Sequence, residues 1–313
     1  MLAEDTFIEG SRELATRWGR SSVSPFLSEP PNRVVRVAGG GVAGYRCVRH
    51  WAVVPTDPAV PPGFEHHALD DLLAEIALDR RRAVFVAVSD PVPYRLIGFH
   101  VACLADDASI DLAQFSLAGR RMASLRHSVS SARRHGLRIV PYSTGIANEV
   151  SSVSREWLRT KRGGEMGFTL GRFDSEVATS VECRVAIDRS DRVVGFVTWR
   201  SYSGGAARVL DLMRRVGDAP NPTMDLLIAD SLIEFAASGI ETASLGAVPR
   251  PRGAVAEWVY PTRTLRRYKD KFAPTWMPLW FACPSVSSMP SALAAVASAY
   301  ASGSLLQVLR RNA

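Results

Sequence analysis

Asp211, Arg214 and Asp225 bracket the one stretch of this sequence in which a strand, a turn and a helix start follow each other: Arg208-Val-Leu-Asp-Leu-Met-Arg-Arg-Val-Gly-Asp-Ala-Pro-Asn-Pro-Thr-Met-Asp225. A helix N-terminus points unpaired backbone N–H groups at whatever precedes it and can hold an anion or a developing oxyanion. The two carboxylates can hold an ammonium group or accept a nucleophile's proton. Arg214, with Lys269 and Lys271 further on, can meet phosphate or the oxyanion. The structural alternatives are an ion pair at a strand end for Asp211–Arg214 and a solvated cation pair for Lys269 and Lys271. No Ser–His–Asp arrangement is legible, so no covalent enzyme intermediate is expected. Cys47, Cys103, Cys183 and Cys283 are far apart, and the six histidines are scattered. Neither metal-ligand spacing nor a disulfide framework appears, and no cofactor is expected.

The elements that must position these residues follow from periodicity. Met224, Leu227, Ile228, Leu232 and Phe235 recur at helical spacing behind Pro222 and Thr223. Ahead of them lie a helix over Asn148–Lys161 and strands over Val181–Ile187 and Val193–Arg200; a strand over Thr242–Leu245 follows. The first half reads as strands over Val34–Val37 and Tyr45–Val54 joined by Gly39–Gly41, a helix over Ala68–Arg80, and strands over Val84–Val88, Leu96–Cys103 and Ile110–Phe115. A last strand over Leu279–Ala282 precedes a helix over Ser291–Ala301 expected to pack on the core. The fold class is α/β (α+β). The expected layout is a leader over 1–32, a domain over 33–118, a basic linking helix over 119–138, a catalytic domain over 139–284 and a helical tail over 285–313.

The linking helix is chemically pointed. Met122, Leu125, Val129 and Ala132 make a narrow apolar stripe, while Arg120, Arg121, Arg126, Arg133 and Arg134 take the rest, with no acid from Gly119 to Gly136. An ordinary surface helix mixes carboxylates in. The formal net charge of +7, and Arg266 and Arg267 beside Lys269, point the same way, toward a polyanionic partner. The start Met1-Leu-Ala-Glu-Asp-Thr-Phe lacks the pattern of a signal peptide, and no window has transmembrane length and apolarity, so the cytoplasm is the expected location.

Four stretches together resemble the catalytic domain of the aminoacyl-phosphatidylglycerol synthases, the multiple peptide resistance factor family. They are Ser116-Leu-Ala-Gly…Leu125-Arg…Ala132-Arg-Arg-His-Gly136; Trp157-Leu…Lys161…Glu165-Met-Gly-Phe-Thr-Leu-Gly-Arg-Phe-Asp174; Asp211-Leu-Met-Arg214…Asp218-Ala-Pro…Met224-Asp225; and Tyr268-Lys-Asp-Lys-Phe-Ala-Pro-Thr-Trp276. The resemblance implies two tandem acetyltransferase-like (GNAT) units joined by the basic helix. It implies an aminoacyl-tRNA donor and transfer of its aminoacyl group to a nucleophile, with no ATP or metal because the ester is already activated. In that light Asp211, Arg214, Lys269 and Lys271 are catalytic candidates. Glu165, Arg172, Met213, Asp225 and Tyr268 are candidates for substrate binding, and the seven arginines named above for tRNA. The family's usual acceptor is phosphatidylglycerol. The absence of a membrane-helix block, and the short stretch between Pro249 and Leu265, shift the expected acceptor to a small soluble amine, hydroxylamine or hydroxyl compound of secondary metabolism.

Two other readings compete. Arg214-Arg-Val-Gly-Asp-Ala219 matches the loop that cradles a coenzyme A pyrophosphate, although Pro220 and Pro222 remove donors there. A non-catalytic module for RNA or membrane explains the charge but leaves Asp211 to Asp225 without a task.

Overall fold

Runs such as Trp51–Val54 and Val193–Trp199 carry no polar alternation, which marks strands covered on both faces. The computed structural model describes residues 2–160, Phe168, Gly171, Phe173, 181–250 and 262–301. The first half contains α1 (Leu2–Trp18), β1 (Arg33–Val37), β2 (Gly41–Val48), β3 (Trp51–Val54), α2 (Glu65–Leu78), β4 (Arg82–Val88), α3 (Val92–Leu96) and β5 (His100–Asp111). The second contains α4 (Ala123–Arg134), β6 (Arg138–Pro141), α5 (Ala147–Arg159), β7 (Glu182–Ile187), β8 (Val193–Tyr202), β9 (Ala207–Arg215), α6 (Thr223–Ala237), β10 (Thr242–Pro249), α7 (Thr262–Asp270), β11 (Thr275–Cys283) and α8 (Met289–Ala301).

The eleven strands of the described residues form one sheet, in the order β1-β2-β3-β4-β11-β5-β10-β9-β8-β7-β6. Each half follows the GNAT plan of antiparallel strands, a helix, and a strand returning parallel. In the first, β1, β2 and β3 are antiparallel and α2 leads to β4 beside β3; in the second, β6 to β9 are antiparallel and α6 leads to β10 beside β9. The closing strands are exchanged. β5 leaves the first half to pair with β10, and β11 leaves the second to pair with β4. The two exchanged strands pair antiparallel with each other in the middle. The mixed α/β fold of two tandem GNAT-like units is therefore one continuous sheet.

The core follows the apolar spacing. Leu227, Ile228, Leu232 and Phe235 of α6 are buried against Phe196, Trp199 and the stripe Leu125, Val129 and Ala132 of α4. Each such side chain contributes about 1.5–3 kcal/mol on burial. Ala292, Ala295 and Ala299 of α8 pack on Trp51, Val53 and Phe281, so the tail helix lies on the core. Several elements differ from expectation. The run Tyr45–Val54 is broken into β2 and β3 by Arg49 at φ 52°. Leu96 ends a short helix instead of opening a strand, because Gly98 at φ 83° turns the chain before His100. Of the expected strand Ile110–Phe115 only Ile110 and Asp111 are strand, as the end of β5, which runs through Asp106 and Asp107; Leu112–Phe115 turn away.

Candidate active site

The sheet opens beside the middle. β9 and β10 pair only from Ala207–Val209 to Thr242–Ser244. Beyond Ser244, β10 slips register against β5, and Gly246 takes φ 84°, a conformation open to glycine at little cost. Past this point the peptide groups of the two parallel strands no longer pair with each other. Lys269 of α7 reaches β10 here. Its Nζ donates to Gly246 O at 2.8 Å and Ala247 O at 3.3 Å. Burial disfavours its charged form, the carboxylate of Asp107 only partly opposes this, and the pKa falls to about 8.

Asp211 stands on β9 just past the last paired residue. It is buried and accepts hydrogen bonds from Gly171 N at 2.7 Å and Arg200 Nε at 2.8 Å. A Cβ at Gly171 would lie 2.3 Å from Oδ2 of Asp211, so only glycine permits this approach. Arg200 is itself buried; it donates through NH1 to Glu29 Oε1 at 2.5 Å and lies 5.1 Å from the centre of the Phe26 ring. The partner of Asp211 is therefore Arg200, held by an acid from the N-terminal segment. Arg214 goes elsewhere: it is 2% exposed, donates to Ser154 Oγ and stacks over Trp157 of α5 at 5.2 Å. The structure does not bring Asp211 and Arg214 into one ion pair.

A third group joins α6 to α7. Asp225, in the first turn of α6, accepts from Lys271 Nζ at 2.8 Å, and Lys271 lies 5.1 Å from the centre of the Tyr268 ring. Burial, then the charge of Asp225, pushes the Tyr268 hydroxyl well above its usual pKa, so it stays protonated. Met213 is half-buried at the edge of the core. Arg266 donates to Asp106 at 2.9 Å and stacks on Trp276 at 4.0 Å, while Arg267 is exposed. Arg120, Arg121, Arg126, Arg133 and Arg134 are all exposed on α4 and the turn before it. Arg126 also anchors that turn by donating to Leu117 O and Gly119 O.

The loop read as a pyrophosphate cradle is already filled. Gly217 N donates to the Glu156 carboxylate at 3.0 Å, and Arg215 donates to Ala219 O at 2.8 Å. A pyrophosphate there would face a carboxylate, which argues against coenzyme A.

Comparison with known proteins decides the family. The sequence pattern described as phosphatidylglycerol lysyltransferase, C-terminal, matches residues 12–283. The chain belongs to this family. The phosphatidylglycerol lysyltransferase of Bacillus subtilis is 27% identical over 209 residues, covering 60% of this chain and 24% of the relative. The lysylphosphatidylglycerol biosynthesis bifunctional protein LysX of Mycobacterium leprae is 29% identical over 245 residues, covering 70% of this chain and 21% of the relative. The chain thus spans about a quarter of the length of the curated relatives it matches. Among solved structures, the C-terminal domain of a putative lysylphosphatidylglycerol synthetase from Agrobacterium fabrum superposes with a TM-score of 0.84 at 23% identity, covering 93% of this chain and 96% of that one. L-PGS from Bacillus licheniformis gives 0.83 at 22% identity, covering 94% and 96%. These two likenesses fix the fold.

The motif residues fall into three groups: Asp211 with Arg200 and Gly171, Lys269 with Gly246 and Ala247, and Lys271 with Asp225 and Tyr268. Glu165 and Arg172 lie outside the described residues. Reading the sequence alone missed Glu29, Arg200, Asp106 and Asp107. The one available signal was an Asp-Asp pair between apolar runs, which reads as a loop. No helix among the described residues is long and apolar enough to cross a membrane.

Proposed function

We propose that this chain is an aminoacyltransferase that moves an aminoacyl group from charged tRNA to a hydroxyl of phosphatidylglycerol. The observation that carries this reading is the set of buried charges around the opened β9–β10 edge, in a chain of this family. Asp211 is held in place by Arg200 and the Gly171 amide. Lys269, with its lowered pKa, supplies a neutral amine at mildly alkaline pH. Its Nζ takes the proton of the acceptor hydroxyl as that oxygen attacks the ester carbonyl. The proton then passes to the tRNA hydroxyl that leaves, so the enzyme is unchanged at the end of the cycle. Lys271, partly exposed beside Asp225 and the Tyr268 ring, supplies a donor for the tetrahedral oxyanion. The exposed arginines of α4 grip the phosphates of the tRNA stem.

The acceptor follows the names of the relatives, which carry phosphatidylglycerol. The soluble acceptor expected from the sequence leans partly on the stretch after Pro249, most of which lies outside the described residues. One assay separates the acceptors. Charged tRNAs carrying labelled amino acids are incubated with the protein and either phosphatidylglycerol vesicles or an amine and hydroxylamine mixture. Label is expected in the lipid, and ribonuclease is expected to abolish it. Label confined to the soluble fraction would move the acceptor, and label in neither would end the transferase reading. Reversing the charge of Arg133 and Arg134 should weaken tRNA binding and flatten its salt dependence, by roughly 0.7–0.9 of a log unit for each phosphate that is no longer neutralised.

A further inference from the structure

Across the sheet from Arg250 and Arg266, the segment Arg20–Ser22 passes over the central strands and leaves a cavity of about 340 Å³. Asp107 lines it and is only 7% exposed. Its Oδ1 accepts two hydroxyls, from Ser22 at 2.9 Å and Ser244 at 2.7 Å. Among the described residues no hydrogen bond or ion pair reaches its Oδ2. Burial raises the pKa of Asp107, and the two serines only partly oppose it. Tyr202, on the same wall, stays protonated for the same reason and because Asp107 is near. The nearby ammonium of Lys269 is committed to backbone carbonyls. A buried carboxylate with one uncommitted oxygen facing an open volume is short of a cation.

We propose that this cavity is a binding site for a primary ammonium group on a short aliphatic chain, with Oδ2 of Asp107 as its counter-ion. A guanidinium fork requires both carboxylate oxygens, and Oδ1 is already occupied twice. An ammonium is a point charge with three donors; it fits one oxygen plus hydroxyl acceptors such as those of Ser109 and Tyr202. The apolar part of the wall, Ala207, Met277 and Leu279, suits methylenes. Arg20 at the mouth is offset by Glu65 at 3.8 Å. The ammonium has two sources: the side chain of a lysyl group carried by the donor, or a free amine. The site does not rest on the transferase reading; only the first source does.

The test is calorimetric titration of the full chain with n-butylammonium chloride and, separately, with 1-butanol. The wild type is expected to bind the amine at least about tenfold tighter than the alcohol, a difference of about 1.4 kcal/mol. Asp107→Asn, with its circular dichroism unchanged, is expected to lose that preference. Ser109→Leu keeps the acid but fills the cavity and is expected to lose the amine; it carries the test if Asp107→Asn does not fold. Equal affinity for the two probes, no amine binding by the wild type, or unchanged amine binding in either variant overturns the proposal. The source is read from the ratio of lysyl to alanyl transfer from charged tRNA. A fall of about tenfold in Asp107→Asn assigns the ammonium to the donor side chain. An unchanged ratio beside abolished amine binding assigns it to a free amine. Because the titration needs no turnover, failure of the transferase reading leaves its result standing.

Discussion

Asp106 and Asp107 are neighbours on β5, and the two faces of the sheet treat them in opposite ways. On one face Asp106 meets Arg250, with Nε at 3.0 Å from each oxygen and NH2 at 2.6 Å from Oδ1, and Arg266 at 2.9 Å. Burial alone would raise its pKa, but the hydrogen bonds and charges of the two arginines outweigh that and hold it below the usual range. On the other face Asp107 meets hydroxyls, and burial wins. Asp211 on β9 belongs with Asp106, since guanidinium and amide donors hold it. A carboxylate held by arginine has a fixed position. A carboxylate held by serine keeps the capacity to change its charge or to take a guest. Of these acids, the serine-held Asp107 is the one whose charge acts on Lys269.

The arginine-held class is most exposed to test at Arg200. Arg200→Met would leave Asp211 and Glu29 buried without their shared cation, and a loss of about 3–5 kcal/mol in urea unfolding is expected. A loss below about 1 kcal/mol would show that the guanidinium does not hold the pair.

Lys269 gives the next largest effect and bears on the serine-held acid. If neutral Nζ is the working form, the transfer rate rises with pH up to a plateau above about 8. The anion of Asp107 is the charge that opposes burial there, so Asp107→Asn should move the rising limb to lower pH. A limb that does not move, or that moves upward, separates Lys269 from Asp107.

Smaller still is Asp106→Asn, expected to cost about 1–2 kcal/mol. The two arginines are 44% and 40% exposed, so solvent screens much of the pairing that would be removed. The wild-type acid has a depressed folded pKa, so its contribution is present above the unfolded value and is lost as pH falls through the folded one. Asp107 carries the opposite sign. Its folded pKa is raised, so between the unfolded and folded values the native state binds more protons, and stability falls as pH rises through that window. Asp107→Asn should remove this slope, leaving stability at neutral pH unchanged or slightly higher. Chemical denaturation at stepped pH distinguishes the two variants by the sign of the change.

Much of the second half is legible in the sequence. The periodic apolar residues of α6 and the stripe of α4 are buried where the spacing puts them, because local pattern and tertiary packing agree there. The acids of β5 were not legible. Asp-Asp-Ala-Ser in the middle of a strand looks like a loop unless the residues that satisfy it are known, and those come from Ser22, Ser244, Arg250 and Arg266, all distant in sequence. Arg200 is the last residue of the expected strand Val193–Arg200, and Glu29 falls in the expected leader. Only the crossing of residues 20–29 over the sheet pairs them. The helix Thr262–Asp270 is not legible, because its sequence is basic and has no apolar stripe. Its inward positions are Thr262 and Lys269, residues that a hydrophobic pattern does not mark.

The exchange of β5 and β11 sets a timetable for biosynthesis. β5 leaves the ribosome early, yet both strands that flank it, β10 and β11, are translated much later. Its twelve residues, Asp106 and Asp107 among them, must wait unzipped while the remainder of the polypeptide is made. A nascent chain halted before Thr275 would present a raw edge at β4, open to mispairing with other chains.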